Sequence, residues 1–410
     1  MTSRPEQGPP RLAALRNEIK AEGLDGFLVP RADVHQGEYV APHDERLQWL
    51  TGFTGSAGFC AALVGAAGVF IDGRYRTQVK TQIADVYTPV AWPEVSLAEW
   101  LREQLPQGGI VGFDPWLHAA AQIEQLNGAL EGSDIEMRRC DNLVDRIWKD
   151  QPAPPVQIAK VHPIEFAGES HADKAARLGK SLRDCGAAAA VITLPDSLCW
   201  LLNIRGADIA RNPVMHGFVV LHGSGNVDLF ADPAKVGQLK PHLGSTVTLH
   251  APEALLDYVQ TLAGPVRLDK ATVPVAIADV IANRVTWGDD PCALPKACKN
   301  AAEVAGSAAA HLRDGAALVE LLAWLDQQPT GTVTETQVVS RLEDFRSRDN
   351  ALQDISFETI AGTGPNGAIM HYRVTKDTDS VLEDGQLLVL DSGGQYLDGT
   401  TDITRTIAIG

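Results

Sequence analysis

Three residues near the end of the chain are of types that could hold metal ions and act on a substrate: one histidine and two aspartates. His371 comes first, Asp391 follows in the run Val-Leu-Asp-Ser-Gly-Gly, and Asp402 in the run Thr-Thr-Asp-Ile-Thr-Arg-Thr. Carboxylate oxygens are hard ligands that suit manganese, magnesium or zinc. The spacing therefore indicates part of a divalent metal site. On residue types alone, one turn-forming and one solvated aspartate remain the alternative.

Two strands must position these aspartates. The apolar run 387–390 leads directly into Asp391, where a buried carboxylate is costly unless it is paired, hydrogen-bonded or bound to a cation. In the next strand, 402–409, alternate residues face opposite sides. One face carries Ile403, Arg405, Ile407 and Ile409, and the other carries Asp402, Thr404 and Thr406.

The pairing of the two strands decides whether the carboxylates meet. A tight turn at the Asp-Gly pair 398–399 would place Asp402 opposite Gln395, which leaves Asp391 about 13 Å away along the strand. We therefore predict a connection centred between residues 396 and 397, although Asp-Gly is a strong turn signal. That connection places Asp391 directly opposite Asp402 on a shared face.

A glycine pattern in the same region resembles a dinucleotide-binding loop. Gly362, Gly364 and Gly367 match G-x-G-x-x-G, but Pro365 removes a backbone N–H from the loop. The following residues, 368–372, have a strand-like composition, so no helix N-terminus is expected to receive a phosphate. We interpret the pattern as a loop between elements.

Composition indicates a folded protein of several domains. The chain has 410 residues, of which 45% are hydrophobic and 21% charged. Since a domain typically contains about 150 residues, this length predicts two or three domains. The net charge of −17 argues against nucleic acid or an anionic membrane as a partner. Six scattered cysteines suit a reducing compartment, and the N-terminus lacks the apolar core of a secretory signal, so we expect a cytoplasmic protein.

Two proline-containing stretches mark boundaries, at 151–155 and 289–295. They predict three domains, 1–155, 156–295 and 296–410. The first two mix helical and strand patterns and resemble each other, which predicts two duplicated α/β domains. Four similarities occur in the same order: 25–30 with 189–195, 49–53 with 200–204, 69–72 with 228–232, and 111–114 with 266–269.

The third domain is predicted to open with two helices. The first runs from about 301 to 327, with an apolar face formed by Leu318, Leu322 and Leu325. The second begins after Thr334, where Gln337 completes a capping box. From about residue 355 the pattern changes to strands and glycine-rich loops.

Longer motifs surround the three candidate residues, and they resemble the metal-binding region of the Xaa-Pro aminopeptidases (aminopeptidase P). They are Thr363-Gly-Pro-Asn-Gly-Ala-Ile-Met-His371-Tyr, Leu390-Asp391-Ser-Gly-Gly-Gln-Tyr and Asp398-Gly-Thr-Thr-Asp402-Ile-Thr-Arg-Thr406. Earlier segments are similar to the three-domain cytosolic form of that family. They include Tyr39-Val-Ala-Pro-His-Asp-Glu-Arg46, Gly52-Phe-Thr-Gly-Ser-Ala-Gly58, Asp72-Gly-Arg-Tyr75, Arg205-Gly-Ala-Asp208 and Lys299-Asn-Ala-Ala-Glu303.

The resemblance implies a fold, a reaction and residue roles. The expected fold has two creatinase-like α/β domains followed by the first part of an α+β pita-bread catalytic domain. Asp391 would chelate one of two divalent ions and Asp402 would bridge both, with manganese the usual metal and zinc or cobalt also possible. A hydroxide between the ions would attack peptides that carry proline at the second position. His371 would hydrogen-bond the substrate or move its proton, and the complete enzyme would be a homodimer.

The resemblance also implies missing ligands. The family completes its site with one histidine and two glutamates, which would follow Gly410 in sequence, so two of five ligands are present here. We therefore expect a chain truncated within the catalytic domain and inactive alone. The alternatives are a non-catalytic peptide-binding or scaffold protein on this fold and a prolidase-like dipeptidase. A creatinase-like enzyme is disfavoured because it would not need both aspartates.

Overall fold

The computed structural model describes residues 3–349 and 351–410. Contacts between residues divide the chain into two compact units. The first unit comprises Met1–Lys160, His171–Ala210 and Val214–Lys296. The second comprises Val161–Ser170, Arg211–Pro213 and Ala297–Gly410, and it contains all three candidate site residues.

The first part of unit 1 is built on a six-stranded sheet with the strand order β4-β3-β2-β1-β5-β6. The strands are β1 (Gly26–Pro30), β2 (Phe59–Leu63), β3 (Ala67–Ile71), β4 (Thr88–Ala91), β5 (Gly109–Phe113) and β6 (Ile135–Arg139). The helices are α1 (Gly8–Ala21), α2 (Arg46–Thr51), α3 (Val79–Gln82), α4 (Leu97–Gln104), α5 (Ala120–Leu130) and α6 (Leu143–Ile147).

A second six-stranded sheet, with its surrounding strands and helices, occupies the next part of the chain. The strands are β7 (Lys160–Val161), β8 (Ala189–Ile192), β9 (Ile204–Arg205), β10 (Phe218–His222), β11 (Val227–Phe230), β12 (Val247–His250), β13 (Val266–Leu268) and β14 (Val285–Trp287). The helices are α7 (Ile164–Ala167), α8 (His171–Asp184), α9 (Pro195–Leu202), α10 (Pro233–Val236), α11 (Lys240–Leu243), α12 (Leu255–Thr261), α13 (Val275–Ile281) and α14 (Ala293–Ala297).

The two large sheets share one topology. The order of the second is β12-β11-β10-β8-β13-β14, which repeats the first sheet strand for strand. Both contain an antiparallel meander, β1-β2-β3 or β8-β10-β11, flanked by parallel neighbours. Both central strands, β1 and β8, are almost wholly buried, because apolar side chains of the flanking helices pack against the two faces. The predicted duplication is therefore confirmed.

Unit 2 places two helices against a small antiparallel sheet. The helices are α15 (Ala301–Leu325) and α16 (Glu335–Arg346), and the strands are β15 (Leu352–Ile355), β16 (Ile360–Thr363), β17 (Leu387–Ser392), β18 (Gly394–Tyr396) and β19 (Ile403–Ala408). The three-stranded sheet has the order β16-β17-β19, and β15 pairs with β18. Leu318, Leu342, Leu388 and Leu390 lie in the core between helices and sheet.

Both predicted helices of this region are present. The first begins at Ala301 as expected, and the second is capped by Thr334 and Gln337 in the predicted capping box. The strand-like interpretation of 368–372 was wrong, because Gly364–Ala368 forms a short 3-10 helix and a turn follows it. Hydrogen bonds to the buried carboxylate of Glu335 hold this loop.

Across the described residues, no helix is both long enough and apolar enough to cross a lipid bilayer.

Candidate metal site

Asp391 lies near the end of β17 on the side of the sheet that faces away from the apolar core. Leu388 and Leu390 are buried beneath α15 and α16, whereas Asp391 is half-buried on the opposite face. The Thr404 hydroxyl donates a hydrogen bond to Asp391 Oδ1 at 2.8 Å. The carboxylate is therefore accessible from the surface and is held by a neighbour on the next strand.

The register of β17 and β19 differs from the prediction by two residues. Asp391 pairs with Thr404, not with Asp402. The connecting loop consists of residues 397–398, closed by a hydrogen bond from the Tyr396 N–H to the Gly399 carbonyl at 2.8 Å. The predicted centre of the connection, between residues 396 and 397, was wrong. The tight turn at 398–399, against which the strand distance argues, is not formed either.

The two aspartates nevertheless lie on one face. Side chains alternate along a strand, so Asp402 points to the same side as Thr404, the partner of Asp391. Partial burial raises the pKa of the Asp402 carboxyl, and the charge of Asp391 together with a hydrogen bond between the two carboxyl groups raises it further. The structure therefore brings Asp391 and Asp402 into contact as diagonal neighbours.

His371 lies in the loop that joins β16 to β17. Its backbone has φ +54°, a left-handed conformation that is uncommon for a histidine, and its side chain is exposed. The next residue, Tyr372, is buried and donates a hydrogen bond to Glu335 Oε2 at 2.9 Å. The loop conformation around His371 thus depends on an anchor one residue away.

Glu335, at the start of α16, is the centre of that anchor and was not recognised from the sequence. Its fully buried carboxylate accepts hydrogen bonds from Thr363 N, Asn366 Nδ2, Tyr372 OH and Ser380 N at 2.7, 3.0, 2.9 and 3.3 Å. Thr363 and Asn366 belong to the glycine-rich stretch that matched a dinucleotide fingerprint, and here they hold the loop to α16. An acidic residue in the first helical turn is common, so its identity alone carried no distinguishing signal.

The donor set fits a hard divalent cation in kind. Two carboxylates and a neighbouring threonine hydroxyl offer oxygen ligands of the type that Mn²⁺ and Mg²⁺ prefer. The number of ligands is smaller than a complete protein site requires. Within residues 3–349 and 351–410, no group of three or more His, Cys, Asp or Glu residues could hold a metal ion.

Comparisons with known proteins match three segments of the chain to known families. Residues 11–147 and 150–303 each match the Creatinase/Prolidase N-terminal domain, and residues 297–410 match Metallopeptidase family M24. A probable Xaa-Pro aminopeptidase P from Aspergillus niger is 35% identical over 425 residues, which cover 98% of this chain and 68% of the relative. The chain belongs to the Xaa-Pro aminopeptidase P family. The predicted order, two creatinase-type domains followed by a metallopeptidase domain, is confirmed.

Two further proteins support the assignment of this chain to the Xaa-Pro aminopeptidase P family. A probable Xaa-Pro aminopeptidase P from Coccidioides posadasii is 38% identical, over 98% of this chain and 69% of the relative. The X-prolyl aminopeptidase of Caenorhabditis elegans, described as a cytosolic enzyme with a di-nuclear active site, superposes with a TM-score of 0.92 at 28% identity. That superposition covers 98% of this chain and 70% of the worm protein.

Proposed function

We propose that this chain carries part of the active site of an enzyme that removes the N-terminal residue from peptides with proline at the second position. Membership in the Xaa-Pro aminopeptidase P family supports the substrate class. The observation that carries the proposal is the contact between Asp391 and Asp402 on one face of the sheet. Two ionised carboxylates in contact repel each other, and a divalent cation bound by both would relieve that repulsion and suit their oxygen ligands.

In this proposal Asp391 would chelate one divalent ion and Asp402 would be shared by two, with manganese preferred to zinc or cobalt. Bound ions would supply charge that lowers the pKa of water and polarises the scissile carbonyl. His371, exposed in the loop before β17, would hydrogen-bond the substrate and hold or move its proton. The description of the worm enzyme as di-nuclear supports the number of ions.

We also propose that residues 1–410 are inactive alone. Two carboxylates are too few protein ligands for two hydrolytic metal ions, which are usually held by three or more each. The proposed domains are 1–155, 156–295 and 296–410, since each large sheet then lies within one domain. We propose a cytoplasmic location because the C. elegans enzyme is described as cytosolic. We also predict that the complete enzyme is a homodimer.

Calorimetric titration with MnCl₂ tests the metal site. Wild-type chain should bind Mn²⁺ with a Kd in the range of about 0.1–1 mM, as expected of weak sites with few charged ligands. The Asp391→Asn/Asp402→Asn variant should lose that binding, whereas Asp377→Asn, at an exposed loop position, should retain it. Equal binding by all three proteins would contradict the proposed site, and release of an amino acid from an Xaa-Pro peptide would contradict the inactivity.

One observation favours a second candidate, a peptide-binding or scaffold protein without catalysis. Within the part of the chain that the structure describes, Asp391 and Asp402 do not belong to any group of three or more His, Cys, Asp or Glu residues that could hold a metal ion. A scaffold should bind Mn²⁺ no better than its generic acidic surface, so wild-type and Asp391→Asn/Asp402→Asn proteins would then give the same weak titration.

A further inference from the structure

A buried ion pair lies on the core side of the hairpin that carries the two aspartates. Arg346, at the end of α16, forms a two-pronged contact with Asp314 of α15, with Nε–Oδ1 and Nη2–Oδ2 distances of 2.8 and 3.0 Å. The side chains are 0% and 2% exposed. Burial of such a pair often contributes little net stability compared with apolar side chains of similar volume, so stability alone does not account for it.

The pair makes two further hydrogen bonds, and both reach the hairpin. Arg346 Nη2 donates to Ser392 Oγ at 3.0 Å, and Tyr396 OH donates to Asp314 Oδ1 at 2.8 Å. Ser392 directly follows Asp391, and Tyr396 directly precedes the two-residue loop. One ion pair therefore fixes the outgoing arm of the hairpin at two points, on either side of the break between β17 and β18.

The loop at the tip is held by the preceding residue of α15. Arg313 forms a salt bridge with Asp398, and its guanidinium lies 5.1 Å from the centre of the Tyr396 ring. A close approach at Gly393 then sets the returning arm, because a Cβ at that position would lie 1.9 Å from the Thr401 carbonyl oxygen. Asp402 follows Thr401 and so emerges beside Asp391.

We propose that the Asp314–Arg346 pair is a positioning device for the metal site, which sets the hairpin register so that Asp391 and Asp402 can share a cation. The alternation of side chains along a strand explains how the pair acts. Ser392 points toward the helices, so the hydrogen bond that holds Ser392 there directs the adjacent Asp391 to the opposite face. The strand register places Asp391 opposite Thr404, which a local turn preference alone does not select. The inference rests on the proposed function, since it assigns a role to the proposed ligands.

Replacing the whole pair by apolar residues separates positioning from stability. In Asp314→Leu/Arg346→Met the core stays filled, but the hydrogen bonds to Ser392 and Tyr396 are lost. We expect the melting temperature to stay within about 5 °C of wild type. The Kd for Mn²⁺, measured from the electron paramagnetic resonance signal of free Mn²⁺, should rise by about tenfold or more, as when groups that orient metal ligands are removed.

An exposed ion pair in the same part of the unit offers a matched control. Glu320 of α15 pairs with Arg348, just after α16, and the two side chains are 48% and 58% exposed. Glu320→Leu/Arg348→Met makes the same changes of residue type without touching the hairpin. This control variant should bind Mn²⁺ within about twofold of wild type, since exposed pairs hold little structure in place.

The outcomes distinguish this inference from the function on which it rests. A folded Asp314→Leu/Arg346→Met protein with wild-type Mn²⁺ affinity would overturn the positioning role and leave the metal site intact. Failure of the wild-type chain to bind Mn²⁺ would overturn both. If the double variant does not fold, Tyr396→Phe decides: it removes one hydroxyl and should weaken Mn²⁺ binding by about threefold or more, and unchanged affinity would refute the inference.

Discussion

Apart from the proposed metal ligands, Glu335 is the residue whose replacement by alanine has the clearest consequence predicted by the structure. Glu335 is fully buried, and its carboxylate holds together the loop that carries His371. Alanine keeps the helix, since it has the highest helix propensity, but it removes every acceptor in this cluster that the carboxylate supplied. The loop from residue 363 to residue 380 should therefore open far more often than in the wild type.

The magnitude follows from the donors left behind. The Thr363 and Ser380 backbone N–H groups lose the carboxylate, whereas Asn366 and Tyr372 keep other acceptors, including the Thr378 carbonyl. A buried donor without a partner costs about 1–3 kcal/mol. Two such donors predict a loss of about 2–5 kcal/mol in the free energy that keeps the loop closed, after the relieved desolvation of the carboxylate is allowed for.

Amide hydrogen exchange read by mass spectrometry measures this local free energy. A loss of 2 kcal/mol corresponds to exchange about 30 times faster for peptides that span residues 363–380. Glu335→Gln retains one carbonyl acceptor and should show a smaller acceleration. Glu320→Ala, at an exposed site on α15, should leave these peptides unchanged. Exchange within threefold of wild type in Glu335→Ala would refute the reasoning.

Two predictions concern unit 1. Burial lowers the pKa of His118 to about 4. Below pH 6.5 this histidine therefore takes up a proton in the unfolded chain but not in the folded chain. The free energy of unfolding should consequently fall by about 2 kcal/mol between pH 7 and pH 5. Urea midpoints at both pH values test this, and an equally steep loss in His118→Asn would contradict it. Lys235→Met leaves the Asp208 charge unpaired in a buried pair and should cost about 3–5 kcal/mol in urea unfolding. Lys180→Met, at the exposed pair with Asp184, should cost less than about 1 kcal/mol, and equal losses would count against the burial argument.

The overall fold was largely predictable because its signals are local. The four internal similarities correspond to strands or helices at equivalent places in two sheets of identical order. The capping box at Thr334 and Gln337 marked the start of α16 correctly, since a cap uses only neighbouring residues. The 3-10 helix Gly364–Ala368 escaped prediction because its conformation is held by Glu335, about thirty positions earlier in the chain.

The candidate metal site was likewise predictable only in part from the sequence. Alternation along the strands, together with the predicted connection, gave the expectation that Asp391 and Asp402 would share one face of the sheet. The error in register did not alter this result, because a slip of two residues preserves the face and only a slip of one reverses it. The register itself is consistent with contacts from α15 and α16, where Asp314 and Arg346 grip the hairpin from the core side. Such contacts join residues far apart in the chain, so only the tertiary structure decided which residues of the two strands lie opposite each other.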